Sequence, residues 1–189
     1  QVNLGSMYAA GRDLPKDDVE AVRLYRMAAN QGGVARAQVA LGEMYAAGRG
    51  VVENEATAAE WYHRAAAQGD AEAMLLLRET AERGVATAQV NLGSMYAAGR
   101  DLPKDDMEAV RWYRLAAEQG DVAAQVNLGV MYAAGRGVVE DDVEAVEWYR
   151  RAAEQGSAEA QVALGAMYIA GRGVVEDENA AVEWYRRAA

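Results

Sequence analysis

The sequence contains no cysteine, no phenylalanine and one histidine, and its only two prolines are Pro15 and Pro103. Without cysteine the chain can form neither a disulfide nor a thiolate metal site. No apolar run approaches the roughly 18 residues of a membrane span. The sequence therefore excludes a disulfide scaffold and predicts no membrane insertion.

Basic residues are also scarce. Lys and Arg number 19 against 29 Asp and Glu, which gives a net charge of −10 at pH 7. Non-specific nucleic-acid binding depends on Lys and Arg that neutralise phosphates, and anionic membrane surfaces attract the same residues. The charge balance thus predicts neither a nucleic-acid partner nor an anionic lipid surface.

The chain does contain an internal repeat. The stretch QVNLGSMYAAGRDLPKDD occurs at 1–18 and again, unchanged, at 89–106. A Gln before V-x-L-G recurs with a period of about 36 residues, which is typical of helical repeat arrays. This Gln is found at Gln1, Gln38, Gln89, Gln125 and Gln161.

The repeat at 125–160 indicates a helical hairpin. Its two halves each show apolar residues at the spacing of one helix face. Gly135 and Gly156 are predicted to end the two helices, and Asp141 is placed to cap the start of the second. The predicted buried residues are Ala124, Leu128, Met131 and Tyr132 in the first helix, and Ala145, Trp148, Tyr149, Ala152 and Ala153 in the second.

A glycine lies inside the first helix of every repeat, where it costs about 1 kcal/mol relative to Ala. We expect this cost to be offset by close approach of the neighbouring helix or its aromatic ring. The glycines concerned are Gly5, Gly42, Gly93, Gly129 and Gly165. The recurring Trp-Tyr pair, as in Trp148-Tyr149, is predicted to be core rather than a cofactor site.

Two local features depart from the pattern. Asp13 and Asp101 replace the second loop glycine found at Gly50, Gly137 and Gly173, and Asp tolerates the same backbone region. Residues 74–88 form a compressed repeat, which predicts one helix from about Ala71 to Arg83. The predicted organisation is two hairpins over 1–69, a linking helix within 70–88 and three hairpins over 85–189. The compressed repeat is either a deletion scar or a functional element, which would be a hinge or a partner-docking element.

The chain offers few groups for chemistry. His63 aligns with Arg26, Arg114, Arg150 and Arg186 of the other repeats, an outer position that predicts no catalytic role. Acidic pairs such as Asp141-Asp142 favour helix capping over a cation site. No serine-hydrolase motif and no phosphate loop occurs. We therefore predict no enzyme activity, no catalytic residue, no metal site and no cofactor.

The pattern A-x-A-Q-x-x-L-G-x-M-Y-x-x-G-x-G-V, followed by A-x-x-W-Y-x-x-A-A-x-Q-G, resembles the Sel1-like repeat (SLR), a relative of the tetratricopeptide repeat. The resemblance implies an all-α fold, a right-handed α-solenoid of stacked hairpins, and the compressed repeat predicts an irregularity in it near 70–88. It also implies a bacterial adaptor or scaffold that holds a protein or peptide on the concave face, which the first helices line. Some members with paired cysteines are linked to β-lactam binding or hydrolysis, a feature that this cysteine-free chain does not share.

Positions that vary within the repeat are the candidates for partner binding. They lie at the third and sixth places of the first helix, where small residues would leave a smooth groove and Asn could bond a peptide backbone. The candidate residues are Asn3, Ser6, Glu43, Asn91, Ser94, Asn127, Val130, Ala163, Ala166 and Ile169. The alternative interpretation is that these are neutral solvent positions.

Two function classes remain, and an enzyme is a distant third. The first is a partner-binding scaffold, the second is a structural or engineered array without a partner, and the third is a β-lactam hydrolase-like activity. No polar capping unit is visible at either outermost hairpin, and solenoids need such units for solubility. Self-association through these hairpins is therefore a further expectation. The sequence predicts no particular compartment.

Overall fold

The computed structural model describes residues 1–11, 14–99 and 102–189. Within them it contains eleven α-helices and no strand. The helices are α1 (Val2–Ala10), α2 (Asp18–Gly32), α3 (Ala35–Ala46), α4 (Glu55–Ala66), α5 (Ala71–Glu82), α6 (Ala86–Ala98), α7 (Asp106–Glu118), α8 (Val122–Ala133), α9 (Asp142–Glu154), α10 (Ala158–Ala170) and α11 (Glu178–Ala188). The all-α prediction is confirmed.

Helical hairpins are the building unit. Helix α1 packs against α2, α3 against α4, α8 against α9 and α10 against α11. Successive hairpins also stack, since α2 contacts α3, α7 contacts α8 and α9 contacts α10. The predicted stops and caps are confirmed in the fourth hairpin, α8–α9: Gly135 has φ 61°, and the Asp141 carboxylate accepts hydrogen bonds from the backbone N–H of Val143 and Glu144.

The chain forms two compact units that divide between Leu92 and Gly93, inside α6. The first contains residues 1–92 with Leu102, and the second contains residues 93–99 and 103–189. We call them unit 1 and unit 2. The domain bounds 1–69, 70–88 and 85–189 stay a prediction.

Close packing of a tyrosine ring explains the helix-interior glycines. A Cβ added at Gly129 would lie 2.5 Å from Cε1 of Tyr149, and one at Gly93 would lie 2.9 Å from the ring of Tyr113. Gly5, Gly42 and Gly165 meet the equivalent tyrosines in the same way. Burial in this contact raises the pKa of Tyr149 to about 12. The prediction of close approach is confirmed.

The aromatic pairs are core residues in three of the four hairpins that carry Trp. Trp148 and Tyr149 are buried, as are the pairs at 61–62 and 112–113. Each Trp ring is also covered by an arginine guanidinium, which for Arg151 lies 4.5 Å from the centre of Trp148. The last pair differs, because Trp184 is half-buried and Tyr185 is 40% exposed.

The compressed repeat contains the single helix α5. Asp70 caps its start by accepting the N–H of Ala73, and Gly84 follows its end with φ 97°. Arg83 forms an ion pair with Glu55 of α4 at 3.1 Å. Asp13 and Asp101, which replace the loop glycines in two repeats, lie outside the described residues.

Candidate partner-binding surface

The surface is built on seams between successive hairpins, and each seam contains a buried glutamine. Gln125 of α8 is 3% exposed, and its Nε2 donates to the carbonyl of Ala117 in the preceding α7 at 3.2 Å. Its Oε1 accepts a hydrogen bond from Gln155, which follows α9 of its own hairpin. Gln161 repeats the first bond, to Ala153. Sequence reasoning used this Gln only to find the period and missed its role.

Loop arginines provide a second tie across each seam in unit 2. Arg136 donates to the carboxylate of Asp106 at 2.6 Å and to the carbonyl of Ala97 at 3.4 Å. Arg172 makes the corresponding bonds to Asp142 and Ala133. The hydrogen bond from Arg136 holds the pKa of Asp106 below its ordinary value.

Loop glycines allow this close stacking. Gly137 lies against the backbone carbonyl of Asp106, and a Cβ at Gly137 would overlap it. Gly50 and Gly173 occupy the same place in the other described loops of this type.

Arg26 and Arg114, two of the arginines that align with His63, are exposed as predicted for an outer position, and they also provide a third tie. Arg26 donates to the phenol oxygen of Tyr45 at 2.7 Å, and Arg114 donates to that of Tyr132 at 2.7 Å. In both cases the tyrosine belongs to the next hairpin. These arginines therefore align successive hairpins instead of facing only water.

The first helices of unit 2 expose several predicted positions. Val130 of α8 is 40% exposed, and Ile169 of α10 is 47% exposed. Ala166 is exposed, whereas Asn127 and Ala163 are half-buried. Because hairpins α8–α9 and α10–α11 repeat with a 36-residue offset, Asn127 aligns with Ala163 and Val130 with Ala166. These five residues define a surface that we call the first-helix row.

The serine positions are already engaged. The hydroxyl of Ser94 accepts a hydrogen bond from Tyr113 at 3.1 Å, and Ser6 accepts one from Tyr25 at 3.1 Å. Both serines follow the glycine that contacts the tyrosine ring, so the hydroxyl meets the phenol across the hairpin. Sequence reasoning missed this bond, although the pairing of Gly-Ser with a tyrosine nineteen residues later is visible in the sequence.

The predicted positions in unit 1 are more polar. Asn3 and Glu43 are exposed, and Asn91 is half-buried on α6. Partial desolvation raises the pKa of Glu43, and the nearby charge of Glu72 on α5 raises it further.

Two clefts lie on the second-helix side, one in each unit. The larger, about 510 Å³, is lined by Val19, Val22, Arg23, Arg26, Met27, Asn30, Gln31, Gly50 and Val51. The smaller, about 430 Å³, is lined by the aligned residues around Arg111 and Arg114. Their arginines are engaged: Arg23 pairs with Glu20 at 2.6 Å and Arg111 with Glu108 at 3.3 Å.

The described residues show neither a metal cluster nor a membrane-spanning helix. Over residues 1–11, 14–99 and 102–189, no group of three or more His, Asp or Glu side chains is placed to hold a metal ion. In the same part of the chain, every helix is too short or too polar to span a bilayer.

The repeats match a known protein family. The family model described as Sel1 repeat matches residues 1–33, 35–70, 86–121, 122–157 and 158–189, and leaves the compressed repeat between the second and third matches. No curated protein matched the chain.

Two solved structures share the fold and part of the sequence. A Sel1 repeat protein from Oxalobacter formigenes is 34% identical with a TM-score of 0.59, over 98% of this chain and 70% of that one. A protective antigen of uropathogenic Escherichia coli strains, which displays an SLR fold, is 32% identical with a TM-score of 0.62 over 99% of this chain. The chain spans 44% of the length of that antigen.

Proposed function

This chain belongs to the Sel1 repeat family, whose members are generally protein-interaction scaffolds, and we propose that it is a scaffold that binds a protein or peptide segment on the first-helix row of unit 2. The partner would lie across α8 and α10, over Asn127, Val130, Ala163, Ala166 and Ile169. The other candidate positions, among them Asn3, Glu43 and Asn91, would widen the contact in unit 1.

The exposure of Val130 and Ile169 is the observation that carries this proposal. Both are large apolar side chains, 40% and 47% exposed, on helices whose Leu and Met residues are buried. Ala166 lies at the place aligned with Val130, so α10 presents little steric bulk there. An apolar strip flanked by small residues suits the side chains of an extended or helical peptide.

Asn127 supplies the polar part of the surface. It lies one turn before Val130 on α8, and no intramolecular hydrogen bond of its amide is found among the described residues. An amide can both donate to and accept from a peptide backbone. Ser94, which already accepts from Tyr113, contributes shape more than a free hydroxyl.

A charge-insertion variant tests the proposal. The double variant Val130→Lys and Ala166→Lys places two charges on the first-helix row, where both side chains are exposed and the fold can tolerate them. A matched control, Val139→Lys with Val175→Lys, introduces the same two lysine charges at loop valines that are 87% and 86% exposed. Proteins captured from bacterial extract by each variant are compared, and the affinity of any purified candidate is then measured directly.

We expect a candidate to bind the unchanged chain and the loop control equally, and to bind the row variant at least tenfold more weakly, with helicity by circular dichroism unchanged in all three. Equal binding by the row variant would show that the first-helix row is not the binding surface. Empty capture by every form would favour the alternative, a structural array without its own partner.

A further inference from the structure

Helix α5 of the compressed repeat keeps one side exposed. It packs against α4 with the side that buries Ala73, Leu77 and Ala81, whereas Leu75 is 56% exposed. The family model does not match residues 71–85, so this exposed side is not a feature of the repeat itself. A single exposed leucine is common on protein surfaces, and the groups around it decide whether the side can bind a partner.

The exposed side of α5 is acidic. Leu75 has a glutamate three residues before it, four residues after it and seven residues after it, which are spacings that share one side of a helix. These residues are Glu72, Glu79 and Glu82, and all three are exposed. The helix has one basic residue, Arg78, against these three carboxylates. The leucine is therefore surrounded by an excess of negative charge.

Helix α3 adds a further carboxylate close to this side. Glu43 is exposed on α3, where the aligned residues are uncharged: Ser6, Ser94, Val130 and Ala166. Partial desolvation raises the pKa of Glu43, the charge of Glu72 raises it further, and Arg49 opposes the shift with a smaller effect. Within the described part of the chain, neither Glu43 nor Glu72 forms an ion pair. The two carboxylates therefore repel each other without a bound cation between them.

Tyr62 shows that Glu79 lies in the same neighbourhood. Burial raises the pKa of this phenol to about 12, and the charges of Glu43 and Glu79 both add to the shift. Arg83 acts in the opposite direction, but its guanidinium already pairs with Glu55 at 3.1 Å. The carboxylates of α3 and α5 thus form one surface whose negative charge is not balanced. We call this surface the acidic face; it consists of Glu43, Glu72, Leu75, Glu79 and Glu82.

We propose that the acidic face binds a basic and partly apolar segment of a partner protein. A Lys or Arg side chain of that segment lies between Glu43 and Glu72, where it removes their repulsion and forms charge-assisted hydrogen bonds. An apolar side chain next to it covers Leu75. Complementary charge selects the partner and speeds its association, and it disfavours a second copy of this acidic chain. The proposal rests on the scaffold function, but it does not depend on the first-helix row of unit 2.

Labelled synthetic peptides and the full chain provide the test. The probe is a short helical peptide of Lys and Leu, and its binding is measured by fluorescence anisotropy. One comparison peptide has Glu in place of each Lys, and the other has Ser in place of each Leu. We expect the Lys-Leu peptide to bind, the Glu-Leu peptide not to bind, and the Lys-Ser peptide to bind about tenfold more weakly. No binding of the Lys-Leu peptide would overturn the proposal.

A pair of matched variants separates the acidic face from the net charge of the chain. Glu43→Gln with Glu72→Gln should weaken binding of the Lys-Leu peptide about tenfold. Glu118→Gln with Glu154→Gln makes the same chemical change at exposed positions of unit 2 and should leave binding unchanged. Equal losses in both variants would mean that the peptide responds only to total charge, and the acidic face would be rejected. Circular dichroism checks that both variants keep their helicity.

The row variant makes the two proposals fail separately. Val130→Lys with Ala166→Lys should bind the Lys-Leu peptide as the unchanged chain does. If only the row variant lost the peptide, the first-helix row would be its binding surface and the acidic face would not. Glu43→Lys with Glu72→Lys reverses the charge of the acidic face, so this variant should bind the Glu-Leu peptide in preference to the Lys-Leu peptide. An unchanged preference for Lys-Leu would contradict the proposal.

Discussion

Gly129 shows how one residue sets the distance between two helices. The ring of Tyr149 on α9 approaches the backbone of α8 so closely that a Cβ at Gly129 would lie 2.5 Å from ring atom Cε1. Real Cβ contacts are longer, so any side chain there must move the ring or the helix. Glycine costs about 1 kcal/mol in helix propensity at this position, and the close contact with the ring offsets that cost.

We predict that Gly129→Ala destabilises the chain, although Ala is the better helix former. Overpacking a filled seam typically costs about 1–3 kcal/mol, which exceeds the gain in propensity. Chemical denaturation followed by circular dichroism measures the free energy of unfolding. Gly129→Leu should cost more than Gly129→Ala, because its side chain is larger.

A second substitution separates steric overlap from other effects. Tyr149→Leu removes the ring, so Gly129→Ala should be less harmful in that background than in the unchanged chain. Residues in direct contact show such non-additive behaviour. Strictly additive losses would mean that the ring is not what the added methyl group meets.

At the scale of the elements, the pair Arg136–Asp106 connects the loop before α9 to the start of α7. The Asp106 carboxylate is 22% exposed, and its pKa is lowered chiefly by the hydrogen bond from Arg136. A lowered pKa means that the folded state favours the ionised carboxylate. The pair therefore stabilises the fold above the unfolded pKa of about 4, and the stabilisation is lost as pH falls through the lower folded pKa.

We predict that Asp106→Asn lowers the free energy of unfolding by about 1 kcal/mol at pH 7, since the pair is partly screened by solvent. The difference from the unchanged chain should disappear as pH falls below the folded pKa of Asp106, because the carboxyl is then neutral in both states. Denaturation at several pH values measures the difference in the free energy of unfolding between the variant and the unchanged chain.

Glu147→Gln is the control for this experiment, because Glu147 pairs with Arg150 on the same helix and is 50% exposed. It should change stability little at any pH. If Asp106→Asn lowered the free energy of unfolding equally at every pH, the shape of the Asp106 side chain, and not the charge of the pair, would stabilise the loop.

Sequence patterning predicted the hairpins well, because each depends on residues close in the chain. The stop at Gly135 and the cap at Asp141 follow from local backbone chemistry. The seams were harder to predict. Gln125 is a polar residue that is usually exposed, and its burial depends on a carbonyl of the previous hairpin.

The candidate surface was predictable only in part. The exposure of Ile169 follows from its place on the helix opposite the apolar stripe. The close approach of a ring to Gly93 was predicted, but the bond between Tyr113 and Ser94 was not, because the repeat pattern does not specify which group the phenol meets. The same holds for Arg114 and Tyr132, which belong to different hairpins and meet only when these stack.

At the scale of the whole molecule, hairpins that contact only their neighbours should unfold locally. Stability in such arrays is approximately a sum of terms for each repeat and each seam. A substitution that destabilises one hairpin should therefore lower the local stability of that hairpin and of its neighbours. The effect should decrease with distance along the chain. Native-state hydrogen exchange resolves these local openings.

We predict that Gly129→Ala speeds amide exchange in α8 and α9, and to a lesser extent in α7 and α10, while α1–α4 keep their protection. Gly42→Ala makes the same change in unit 1, where Gly42 meets the ring of Tyr62. Gly42→Ala should speed amide exchange in α3 and α4 and leave exchange in α8–α11 unchanged. The two variants thus act as controls for each other, because the chemistry is identical and only the position differs. If either variant lowered protection evenly from α1 to α11, the chain would unfold as one cooperative body, and the nearest-neighbour account of its stability would fail.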